Sequence, residues 1–198
     1  MELTTYPPAP WDLHGHAAAA VFLLPRSAIG APPPGTRLVA VAGRAVVTTA
    51  FFRYTDPSPL QYDEVMATVL VRQGLRLRVW ITHIWVDSPA SRDGGRALWA
   101  IPKDLATFDV EPEDTYVARG IASATTGRVR TLVPRLPLAF RIAQERDGRA
   151  LVTRVGGSIR PGLTRSRWRF AGPLAHLGER RPLLTLVARR FHLVFGSR

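Results

Sequence analysis

Leu75-Arg76-Leu77-Arg78-Val79-Trp80-Ile81 alternates apolar and basic residues with a period of two, the signature of a half-buried β-strand. It follows the apolar run Gln61 to Arg72 across Gln73-Gly74, a tight hairpin connection. Outward from this hairpin the same strand-like rhythm recurs. Upstream, Ala17 to Leu24 and Arg44 to Tyr54 read as strands. Downstream, strands are expected at Tyr116 to Ser123, Arg128 to Val133, Leu138 to Gln144, Ala150 to Val155 and Arg167 to Phe170. Leu183 to Phe195 reads as a strand that is also compatible in part with helix. Pro7, Pro8 and Pro10 make the N-terminal entry extended, and Ala31-Pro32-Pro33-Pro34-Gly35 is a rigid surface turn. The rhythm breaks once, at Ser88 to Trp99, a helix capped by Ser88 or Ser91 and ended by Pro102. Many short strands with one or two short helices predict a mainly β protein, an antiparallel β-barrel or a sandwich.

At 198 residues and 46% hydrophobic content the chain can bury a substantial core, and a single domain spanning 1–198 is the economical reading. It has no cysteine, so thiolate chemistry and disulfides are excluded. The apolar run from Ala17 to Pro25 is too short to span a bilayer, and a cytoplasmic protein without membrane partners is expected. A net charge of +12 raises the question of nucleic acid. The arginines cluster only modestly (Arg160, Arg165, Arg167, Arg169, then Arg180, Arg181, Arg189, Arg190), without any nucleic-acid-binding motif, so no nucleic-acid partner is expected.

The basic residues carry a sharper signal. Of 27, one is lysine, Lys103, and it stands in the apolar stretch Ala97-Leu98-Trp99-Ala100-Ile101-Pro102-Lys103. Arginine can replace lysine in salt bridges and at surfaces, but it does not lose its proton and so cannot attack a carbonyl as an amine. Lys103 is therefore the candidate for covalent chemistry.

Asp12, His14 and His16 share period-2 spacing, which places them on one strand face as a partial metal-ligand set, with His83 as a conceivable third strong ligand. Serine nucleophile elbows and phosphate-binding loops are absent, since Gly156-Gly157 lacks the required continuation. Trp80, Trp85 and Trp99 read as core aromatics.

The segment Gly95-Arg96-Ala97-Leu98-Trp99-Ala100-Ile101-Pro102-Lys103-Asp104-Leu105 resembles the signature of the acetoacetate decarboxylase family, whose Gly-Arg-Glu opening leads to an aromatic-Pro-Lys-Lys run. Tyr62-Asp63-Glu64 resembles the family's Tyr-x-Glu strand, Ile84-Trp85-Val86-Asp87 precedes the signature as the family's strand does, and Gly172-Pro173 resembles its late Gly-Pro. The resemblance implies an acetoacetate decarboxylase-like barrel, a homo-oligomer, and a Schiff base between Lys103 and a small keto acid, with no organic cofactor and no metal. The reaction it implies first is decarboxylation of a β-keto acid. Dehydratase or aldolase-type chemistry through the same iminium is the second reading, and a catalytically silent ligand-binding barrel the third. Glu64 falls on the active-site glutamate. His16 falls near the family's N-terminal arginine that meets the substrate carboxylate. Trp99, Tyr62 and Arg96 are expected to help bind substrate.

Asp104 replaces the second lysine of the signature, so activation of Lys103 falls to burial. Moving an amine from its ordinary pKa of about 10.4 to about 7 takes about 4.6 kcal/mol against the ammonium. Desolvation can supply that much, and the expectation is an amine that titrates below the ordinary lysine range.

Overall fold

In the computed structural model, which describes residues 5–109 and 114–196, seven long strands close into a barrel. They are β1 (Trp11–Pro25), β2 (Arg44–Thr55), β3 (Tyr62–Gln73), β4 (Arg76–Val86) and three from the C-terminal half. Between the two sets lie the helix α1 (Pro89–Trp99), the short strand β5 (Lys103–Leu105) and the strands β6 (Phe108–Asp109), β7 (Thr115–Ala118) and β8 (Ala122–Thr126). The C-terminal strands are β9 (Leu136–Arg146), β10 (Arg149–Leu163), β11 (Ser166–Phe170) and β12 (Leu184–Phe195). Around the barrel the order is β3-β2-β1-β12-β10-β9-β4 and back to β3. Every pairing is antiparallel except the closing one, where β9 meets β4 in parallel at Ile142 and Val79. At this seam the buried Gln144 donates its amide N–H to the Ile81 carbonyl at 3.0 Å.

Of the barrel and the sandwich left open by the strand rhythm, the fold is the barrel, and the hairpin of β3 and β4 turns at Gly74, whose φ of 60° suits glycine. Alternation fails along β3 because both its faces are covered. Tyr62, Glu64, Met66 and Thr68 point into the barrel, while Val65, Ala67, Val69 and Val71 are buried under a second sheet. That sheet, β11-β8-β7-β6, lies against the outside of the barrel, where Phe51 stacks on Tyr116 and Trp168. In β4 a bulge opposite Ala67 and Thr68 switches the parity, so that Val79 and Ile81 and then Ile84 face inward.

Several boundaries differ from the sequence reading: Ala150 to Val155 runs on to Leu163, and within Arg128 to Val133 only Arg130–Thr131 is strand. The first strand begins at Trp11, six residues early, because Trp11 and Leu13 bury inward while Asp12 between them faces out. Tyr116 to Ser123 is two strands, β7 and β8, turned at Gly120 with φ of 70°. Leu184–Phe195 is strand throughout, since its carbonyls and amides pair with both β1 and β10. Among the described residues, no helix is long and apolar enough to cross a membrane.

Candidate active site

The helix α1 returns the chain from the end of β4 so that β5 can pair with β4 in parallel, Lys103 opposite Ile84. Ser88 is the cap, its hydroxyl accepting from the Ser91 N–H at 3.2 Å, with Pro89 in the first turn and the left-handed Ala100 at the end. Ser91, Gly95 and Trp99 recur every fourth residue and form the buried side of the helix. Across this face runs the side chain of Lys103.

Lys103 is 4% exposed and Glu64 3%. The Lys103 Nζ donates to Glu64 Oε2 at 2.7 Å, to Ser91 Oγ at 2.9 Å and to Tyr62 OH at 3.3 Å. The second carboxylate oxygen of Glu64 accepts from Tyr54 OH at 3.0 Å. Tyr54 pairs directly with Tyr62 across β2 and β3, their rings 4.4 Å apart. The ammonium therefore has all three of its protons directed to oxygen, and the carboxylate is tied to a second phenol.

This group faces a cavity of about 70 Å³ in the barrel interior. Its wall is otherwise apolar, with Trp11, Phe52, Met66, Trp99, Ile101 and Phe140 prominent. Among the described lining residues, Lys103 and Glu64 are the charged groups. Burial pushes the Lys103 ammonium down, but the carboxylate of Glu64, with Tyr62, outweighs it and holds the amine above its ordinary range. This overturns the expectation of an amine depressed by desolvation alone: the polar partner across the barrel is stronger than the apolar shell. Burial and the nearby Glu64 raise Tyr54 well above the usual phenol value, and burial raises Tyr62 less because Lys103 opposes it. Both phenols remain protonated and able to donate.

Of the residues singled out in the sequence, Lys103, Glu64, Tyr62 and Trp99 come together here. Two do not. His16 shares the outward parity of Asp12 and His14 on β1, and its ring meets Tyr116 of the second sheet, so it is no receptor for a carboxylate at Lys103. Arg96 lies on the outer side of α1, where its Nε donates to the Lys103 carbonyl at 2.6 Å and its guanidinium is 3.6 Å from Asp104. It positions the backbone of Lys103 and does not line the cavity. Asp104 itself points to solvent, as adjacent residues in a strand must. We expect Asp104→Lys to leave adduct formation at Lys103 within about threefold of wild type, because an exposed charge is screened by water; stopped-flow absorbance with a 1,3-diketone measures it, and a tenfold change would reinstate the neighbouring side chain.

Tyr54 and Ser91 were missed in the sequence. The fourfold spacing of Ser91, Gly95 and Trp99 was the available signal for one of them. Gly95 has a specific role in that row, since a Cβ there would sit 2.8 Å from Lys103 Cδ and 3.0 Å from Cε. Gly95→Ala should raise helix propensity by about 1 kcal/mol yet slow diketone adduct formation at least tenfold, because the lysine stem must leave its hydrogen-bonded position. Unchanged adduct kinetics in a folded variant would remove this role.

The sequence profile of the acetoacetate decarboxylase (ADC) family matches residues 5–136. The chain belongs to the acetoacetate decarboxylase family. Its fold is that of the acetoacetate decarboxylase of Legionella pneumophila, with a TM-score of 0.73 at 20% identity over 97% of this chain and 87% of that one. The acetoacetate decarboxylase-like enzyme of Sphingomonas wittichii RW1 is similar with a TM-score of 0.61 at 12% identity over 96% and 92%. So is the enduracididine biosynthesis enzyme MppR in complex with the condensation product of pyruvate and imidazole 4-carboxaldehyde, at 0.60, 16% identity, 96% and 88%. No curated protein sequence is significantly similar to this chain. These acetoacetate decarboxylase-like relatives show the shared fold.

Proposed function

We propose that this protein is a cofactor-free lyase in which Lys103 forms a Schiff base with a small keto acid and, first among the reactions open to it, decarboxylates a β-keto acid. The observation that carries this reading is the buried Lys103 Nζ, 2.7 Å from Glu64 at the wall of an apolar cavity. When a carbonyl compound enters, Glu64 takes a proton from the ammonium and the neutral amine attacks the ketone carbon. The carbinolamine loses water with the proton that Glu64 returns, leaving a protonated imine. Electrons from the breaking carbon–carboxylate bond flow to the imine nitrogen as carbon dioxide leaves. The resulting enamine carbon takes one proton from solvent through Glu64, and water then hydrolyses the iminium to release the ketone. Tyr54 holds the carboxylate in place, and Tyr62 and Ser91 hold the nitrogen.

A second reading is favoured by the cavity wall, which among the described residues offers no cation except Lys103 to receive a carboxylate. An enamine formed from such a pocket serves equally for condensation or dehydration, and MppR is captured with a condensation product of pyruvate. The experiment is a substrate panel for the untagged wild-type protein. Carbon dioxide release from acetoacetate or a longer β-keto acid supports decarboxylation. Consumption of an aldol-forming or conjugated keto acid without carbon dioxide release replaces it with the second reading. Diketone adduct formation with no turnover of either class reduces the protein to a ligand-binding barrel.

A further inference from the structure

On the outer face of the barrel, the first and last strands bring three metal-ligating side chains together. His14 and His192 are directly paired in the antiparallel register of β1 and β12, and Asp12 lies two residues before His14 on the same face. Side chains so placed are cross-strand neighbours, with Cβ atoms about 5 Å apart. The imidazoles stack with centroids 4.6 Å apart, and both point their Nε2 atoms at one oxygen of Asp12, at 3.2 Å from His14 and 2.6 Å from His192. All three ligand atoms lie within 4.8 Å of one another. His16 and His83, the partners expected from spacing in the sequence, are not in this group.

One detail of the cluster is unsatisfied. The Nε2 of His192 is shielded from solvent and, among the described residues, makes no hydrogen bond of acceptable geometry despite its closeness to Asp12. A nitrogen shielded from solvent whose one close contact is poorly aligned is costly. A cation set between the two imidazoles and the carboxylate would satisfy it. Ligand distances of about 2.0–2.2 Å around a tetrahedral ion require donor atoms about 3.4 Å apart, and the three donors lie around that spacing, at 2.6 and 3.2 Å from the Asp12 oxygen and none more than 4.8 Å apart.

We propose that Asp12, His14 and His192 form a binding site for one transition-metal cation of the Zn²⁺ class, clamping the first barrel strand to the last. The cleft beside the two histidines, about 540 Å³, is also bordered by Arg135, Arg160, Arg189 and Arg190, which outnumber its acid, Asp56. Those charges disfavour any cation held by charge alone, so hard ions such as Ca²⁺ and Mg²⁺ are excluded and the ions that gain most from imidazole nitrogen are selected. With three protein ligands the ion keeps a coordination position for water or a small anion. The site is independent of the Lys103 chemistry, although residues adjacent to its ligands, Leu13 and Leu193, line the Lys103 cavity from the other face of the same strands.

The test uses untagged full-length protein, because a polyhistidine tag would bind the same ions. Calorimetric titration with ZnCl₂ is expected to give one equivalent bound, and Zn²⁺ at about 100 times its dissociation constant should raise the melting temperature by about 5 °C or more. CaCl₂ at the same concentration should do neither. The double variant His14→Gln/His192→Gln, checked for an unchanged melting temperature without metal, should bind at least tenfold more weakly. Co²⁺ on wild-type protein should show the intense visible absorption of a four- or five-coordinate ion. Equal Zn²⁺ binding by the double variant, equal stabilisation by Ca²⁺, or only the weak spectrum of hydrated Co²⁺ would each overturn the site.

Discussion

Lys103→Arg is expected to form no borohydride-stable adduct with a β-keto acid or a 1,3-diketone, whereas the wild-type protein forms one per chain. Lys103 is the only lysine, so the single competing amine is the N-terminus. Mapping is correspondingly direct: with arginines at 96 and 119, trypsin releases Ala97–Lys103 and Asp104–Arg119 from unmodified protein, while an alkylated Lys103 blocks the cut and leaves Ala97–Arg119 intact at the adduct mass. The substitution keeps a cation beside Glu64, which matters because removing one partner of a buried pair leaves an uncompensated charge worth about 3–5 kcal/mol. The bulkier guanidinium must nonetheless pass Gly95, where the lysine stem already fits closely. A second variant, Lys103→Met/Glu64→Gln, removes both charges and guards against a folding defect. Trapping of either folded variant to the wild-type extent would put the reactive amine elsewhere and end the Schiff-base reading.

How far the sequence reached can be judged at particular residues. The period-2 alternation of Leu75 to Ile81 and the turn at Gly74 located the hairpin but not the residues it buries: next to the turn Leu75 and Leu77 are exposed and Arg78 is buried, and the apolar side turns inward only further along, at Ile81. β3 was legible only as apolar, since both of its faces are buried, and the direction of Glu64 depended on parity that composition does not reveal. Lys103, Tyr62 and Glu64 stood out by residue type, and the barrel brings them within hydrogen-bonding distance from β5 and β3. His16 failed for a geometric reason: three residues after the inward Leu13, it falls on the opposite face. Arg96 failed in a helical version of the same argument, one residue and about 100° beyond the inward Gly95. The sign of the Lys103 shift was not readable either. It depends on a carboxylate 39 positions away in sequence and 2.7 Å away in space.

Glu64→Gln should separate the two roles that this carboxylate combines. In the wild-type protein the carboxylate raises Lys103 above its ordinary range, so the neutral amine is scarce at neutral pH and diketone trapping should accelerate as pH rises. Without that charge, burial acts against the ammonium with only neutral hydrogen-bond partners such as Ser91 and Tyr62 opposing it, the amine loses its proton at lower pH, and the rising limb of the trapping profile should move to the acid side. Adduct formation at neutral pH is thus expected to be retained or faster. Turnover depends on more than imine formation, because the enamine left by carbon dioxide must gain a proton at carbon, and glutamine cannot deliver it. The rate of product release should fall about 100-fold or more, in line with the loss of a general acid–base group. Divergence of the two measurements, trapping preserved and turnover lost, assigns proton transfer to Glu64. A parallel fall in both, with the trapping profile unmoved along the pH axis, would leave Glu64 as no more than a buried counter-ion that orders the barrel wall.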